Sequence, residues 1–92
     1  MDPNMPLDLE RLDEVLLLAF AAGSLAGFKV RRLRTRLKDE GAWRAMLGAI
    51  RDLHRAGLVA PMHRAGGAFW TWTDKGRDRL HRLGALEARA EA

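Results

Sequence analysis

The chain has 92 residues, 48% of them apolar and 30% charged, with 16 Lys and Arg against 12 Asp and Glu for a formal net charge of +4. That length allows one small domain, and the mixture is that of a globular chain rather than a disordered one. There is no Cys, which excludes a disulfide framework and a cysteine-based zinc site and fits a reducing compartment. The longest uncharged run, Val15 to Phe28, is too short to span a bilayer. The first base, Arg11, follows Asp2, Asp8 and Glu10 instead of leading an apolar run, unlike a secretory signal. The expectation is a cytoplasmic protein with no membrane partner.

Residues Met1 to Asp8, with Pro3 and Pro6, form a lead-in to the domain, and Asp8 is placed to cap the helix that follows. Leu9, Leu12, Leu16 and Phe20 recur at helical spacing, so a first helix is predicted over 9–22, with Glu10 favourably set in its first turn. Gly23 is expected to end it in the left-handed conformation. Ser24 to Gly27 reads as a connector, and a second helix is predicted over 28–38. Val30, Leu33 and Leu37 make its narrow apolar seam, and Lys29, Arg31, Arg32, Arg34, Arg36 and Lys38 cover the rest. Asp39-Glu40-Gly41 reads as the turn that stops it. The third helix is predicted over 42–56, with Trp43, Met46, Ile50 and Leu53 as its buried stripe and Gly57 as its terminator.

After Gly57 the period changes. Leu58 to Ala60 is extended, Pro61 marks an edge strand, and Arg64 to Gly67 reads as a hairpin tip. In the returning strand, 68–73, alternation sets Trp70 and Trp72 on one face and Phe69 and Thr71 on the other. All three tryptophans are expected in the core, with Phe69 as the exposed aromatic. Thr73 is placed to cap a fourth helix over 74–83 with Leu80 and Leu83 inward, followed by a short tail over 84–92.

Three segments carry a resemblance. Ile50-Arg51-Asp52-Leu53-His54-Arg55-Ala56-Gly57-Leu58-Val59 resembles the end of a recognition helix running into a first wing strand. Phe69-Trp70-Thr71-Trp72-Thr73-Asp74-Lys75-Gly76-Arg77 resembles a second wing strand running into the next helix. Ala22-Gly23-Ser24-Leu25-Ala26-Gly27-Phe28 is similar to the junction of the first two helices in PadR-like regulators. Over 9–83 the chain thus resembles the winged helix-turn-helix superfamily, the PadR-like and MarR-like DNA-binding domains. The resemblance implies a mainly α fold with a small β-wing: three helices, a two-stranded wing and a C-terminal helix. It also implies a transcriptional regulator whose third helix enters the major groove of duplex DNA while the second braces the backbone.

Charge agrees with an anionic partner for the middle of the chain. From Phe28 to Arg64 ten bases stand against three acids, whereas Met1 to Gly27 has one base against five acids. On charge alone, an arginine-rich solvated surface accounts for this equally well. Under the resemblance, Arg31, Arg32 and Arg34, followed by Lys29 and Arg36, are the candidate phosphate contacts, with some of these bases pairing with acids of the first helix. Arg44, Arg51 and Arg55 share or border one face of the third helix, and Arg can grip guanine O6 and N7 with two hydrogen bonds. Gly48 and Ala45 leave room there for close approach. His63 and Arg64, at the wing tip, are the candidates for the minor-groove edge.

His54, His63 and His81 lack metal-ligand spacing, and neither a nucleophilic triad nor a phosphate-cradling glycine loop is recognisable. The expectation is a non-enzymatic protein without metal or cofactor. Leu17 and Leu18 lie partly off the inward stripe of the first helix, which favours a homodimer through it, with the C-terminal helix as a further contributor. The alternative is a protein-binding module of the same fold, such as a phage or mobile-element inhibitor of the anti-CRISPR kind, using the same basic face. The absence of Ser, Thr, Asn and Gln from Ala42 to Ala56 favours it. A third account is a subunit-like module of a larger assembly.

Overall fold

The computed structural model describes residues 8–64 and 67–86; the lead-in before Asp8, the hairpin tip at 65–66 and the tail beyond 86 lie outside the described residues. Helix α1 (Leu9–Ala22) leads into strand β1 (Gly27–Lys29), helices α2 (Val30–Arg36) and α3 (Glu40–Arg55), strands β2 (Val59–Arg64) and β3 (Gly67–Trp72), and helix α4 (Asp74–Arg82). The strands form one antiparallel sheet in the order β1-β3-β2. No helix among the described residues is long and apolar enough to cross a membrane.

Helix boundaries follow their caps. Asp8 accepts a hydrogen bond from the Arg11 N–H at the start of α1, and Thr73 accepts one from Gly76 at the start of α4. Asp39 accepts from the Ala42 N–H at 2.8 Å, so α3 begins at Glu40. The segment Asp39-Glu40-Gly41, read from sequence as the stop of the second helix, is therefore the start of the third. Helix α3 ends at Gly57, whose φ of 80° suits a residue without a side chain. Gly23 departs from expectation: its φ is −107°, outside the left-handed region. Space is what a side chain would lack there, since a Cβ would lie 2.8 Å from the Cβ of Phe28.

The sheet has a strand more than the two expected. Gly27 to Lys29, taken from sequence as connector and helix, pairs with Thr71 to Phe69 of the central strand, which delays α2 to Val30. Side-chain bonds tie the entry to β1: Thr71 Oγ1 donates to the Ala26 carbonyl at 3.0 Å, and Trp72 Nε1 donates to the Ser24 carbonyl at 2.9 Å. Strand β2 lies at an edge, where Pro61 is tolerated.

The core gathers Leu12, Leu16 and Phe20 of α1 with Phe28, Leu33, Ile50, Leu53, Val59, Trp72 and Leu80. Trp72 is its aromatic centre, with ring centroids 5.7 Å from Phe20 and 5.2 Å from Phe28. Trp43 and Trp70, expected in the core with Trp72, are only half-buried against this cluster, and of the two leucines expected partly off the inward stripe Leu18 is half-buried and Leu17 37% exposed. Phe69 was expected to be the exposed aromatic and is instead only 6% exposed. Its ring lies over Gly27, where a Cβ would meet the ring at 2.8 Å, so the missing side chain in β1 makes its berth.

Candidate nucleic-acid interface

The sheet determines where the basic residues gather. Strand β1 runs towards the tip of the β2–β3 hairpin, with Lys29 opposite Phe69 and Phe69 opposite Met62. His63 and Arg64 lie just beyond that level in β2, and α2 starts immediately after Lys29. One end of the sheet thus carries Lys29, Arg31, Arg32 and His63, all exposed. The side chain of Arg64 lies outside the described residues.

Lys29, Arg31, Arg32 and Thr35 line an open depression of about 270 Å³. The Thr35 hydroxyl donates to the Arg32 carbonyl at 2.7 Å, so it contributes an oxygen rather than a free proton. No acid pairs with Lys29, Arg31, Arg32 or Arg36 among the described residues. Three cations around one depression, with no counter-charge among the described residues, produce a local positive potential that attracts an anion from solution.

Arg34 is held differently. It is half-buried, its Nη2 lies 2.8 Å from Glu40 Oε2, its Nη1 donates to the Leu37 carbonyl at 3.4 Å, and its guanidinium carbon is 5.2 Å from the centre of the Trp43 ring. All three partners lie after α2, in the connection to α3 or in α3 itself, so Arg34 braces one helix against the next. The expected pairing of α2 bases with α1 acids is not found among the described residues: Arg34 turns to Glu40, and Asp13 of α1 is taken by Arg79 of α4. That pair makes two hydrogen bonds, of 2.8 and 2.5 Å. The bonded guanidinium holds the Asp13 carboxyl below the usual carboxylate range, against an opposing contribution from burial, and the carboxylate raises Arg79 in turn.

On α3 the spacing from Arg44 through Gly48 and Arg51 to Arg55 follows one face, and all four residues are exposed. The Arg44 side chain is 79% exposed and lies 3.9 Å from Glu40, a contact too long to hold it. Arg51 has no acidic partner among the described residues. His54 leaves this stripe and sets its ring edge-on to Trp70 at 5.4 Å, where it helps cover the half-buried indole.

Sequence reasoning missed the Arg34 brace and the Asp13–Arg79 pair. Helical spacing marks which side of a helix a base occupies, but the pair joins residues 66 positions apart and leaves no local pattern. Comparison of the chain with protein-family models, curated proteins and solved structures gives no match.

Proposed function

We propose that the chain is a winged-helix DNA-binding protein, a transcriptional regulator that grips duplex DNA through α3, α2 and the β2–β3 hairpin as its wing. The order helix, strand, helix, helix, hairpin, helix supports this reading, with β1 closing the sheet beside the hairpin. The observation that carries it is the depression lined by Lys29, Arg31 and Arg32, against which no acid lies among the described residues. In this reading these three residues, with Arg36, bind phosphates. Arg44, Arg51 and Arg55 face the major groove, where Arg pairs with guanine. His63 and Arg64 bring the wing against the backbone and the minor-groove edge. Arg34 acts through α3, holding the two helices at their working angle.

One observation favours a second reading. Helix α3 carries no Ser, Thr, Asn or Gln, the neutral residues that read adenine and mixed sites, so its exposed face suits an acidic protein surface as well as DNA. A gel-shift titration on random-sequence duplex at two salt concentrations separates the two. The DNA reading predicts a shift at low salt that weakens steeply at high salt, because phosphate contacts release counterions. Absence of a shift on any duplex at low salt contradicts it and leaves the protein-binding account of the same arginines.

A further inference from the structure

Gly48 lies in the interior of α3, on its exposed face, with Arg44 one turn before it and Arg51 one turn after. Glycine is disfavoured at such a position, because it loses the most backbone freedom on forming a helix. Where the fold requires a glycine, the reason is visible: a positive φ at Gly57, or a ring lying on the backbone at Gly27. Gly48 has neither reason. Its φ is not positive, and a Cβ built there meets nothing within 4 Å. The same helix uses Ala at its exposed positions 42 and 45, so the surface of α3 accommodates a methyl group elsewhere. The chain therefore carries a helix-weakening residue that nothing within the described residues calls for, in the middle of the arginine stripe.

We infer that Gly48 is the point of closest approach between α3 and the duplex, a notch that seats the edge of a base pair on the floor of the major groove while Arg44 and Arg51 grip on either side. The inference rests on the DNA-binding reading and adds to it a residue that acts by having no side chain. The spacing is consistent with it: seven residues at a rise of about 1.5 Å put Arg44 and Arg51 roughly 10 Å apart along the helix, close to three base-pair steps of about 3.4 Å. A methyl group at Gly48 would hold the helix away from the groove and lengthen both arginine contacts together.

The test follows from the opposite signs of the two effects. Gly48→Ala should raise the melting temperature of the free protein by about 2–8 °C, the usual gain from replacing a mid-helix glycine in a domain of this size. It should also weaken binding to duplex DNA by about tenfold, a typical consequence of a steric intrusion. Gly48→Leu, which keeps a good helix former, should weaken binding further while circular dichroism reports an intact fold. A lowered melting temperature for Gly48→Ala would show that the glycine serves the fold and overturn the inference. If the wild type binds duplex and both variants bind equally well, the inference falls and the DNA-binding reading stands. If the wild type binds no duplex, both fall.

Discussion

The guanidinium of Arg34 and the carboxylate of Glu40 meet at 2.8 Å across the connection between α2 and α3. Arg32, two positions earlier on the same helix, has no acidic partner among the described residues. Two neighbouring bases are thus held differently, and stability measurements can tell them apart. Arg34→Ala removes a half-exposed ion pair, worth about 0–1 kcal/mol, and a cation–π contact with Trp43, worth about 0.5–1 kcal/mol at an exposed site. Urea denaturation should therefore show a loss of about 1 kcal/mol. Arg32→Ala should stay within about 0.5 kcal/mol of wild type, as exposed substitutions do.

The Asp13–Arg79 pair ties α1 to α4 and makes the fold sensitive to acid. The Asp13 carboxyl titrates lower in the folded chain than in the unfolded one, because Arg79 bonds its charged form. Its contribution is fully present above the unfolded value, about pH 4, and is lost as the pH falls through the lower folded value. Asp13→Asn should melt below wild type at neutral pH, and the gap should close as the pH drops below about 4. A gap of constant size across that range, followed by thermal denaturation, would remove Asp13 from the account.

Leu53 is completely buried between α3 and the rest of the core. Leu53→Ala should cost about 2–5 kcal/mol, the range for large-to-small changes in a packed core. An unchanged denaturation midpoint would mean that α3 presents a different face to the core.

How much of this could be read from sequence differs from element to element. Of the stripes read from helical spacing, Leu12, Leu16 and Phe20 of α1 and Met46, Ile50 and Leu53 of α3 are buried, whereas Leu9 in the first turn of α1 is 65% exposed and Trp43 is only half-buried. These stripes and the Thr73 cap were legible because helical period and capping are local properties, while burial at a helix end depends on what packs there. Strand β1 was not: three residues are too few to show an alternation, and its partners Phe69 to Thr71 lie 40 or more positions away. For Phe69, alternation gave the correct face but the wrong burial, since its cover depends on the missing side chain of Gly27. The basic surface of α2 was visible as a pattern. Which of its bases the fold keeps for itself was not, because that depends on where Glu40 and Trp43 of α3 come to lie.

On α3, Arg51 is proposed to meet a base edge. Arg51→Ala should cost about 1–3 kcal/mol on a preferred duplex and little on others, as the loss of a two-bond contact to guanine does. Fluorescence anisotropy on a panel of duplexes would show this as a flattened preference. An equal small loss on every sequence would make Arg51 a phosphate contact.

The salt dependence of duplex binding, measured for wild type and Arg32→Ala, tests the central claim most directly. Phosphate contacts by Lys29, Arg31 and Arg32 predict that log K falls linearly with log salt, by roughly one unit of slope per contact. Arg32→Ala should weaken binding about equally on all sequences and flatten that slope by about one unit. Binding indifferent to salt, or a slope that Arg32→Ala leaves unchanged, would contradict the account.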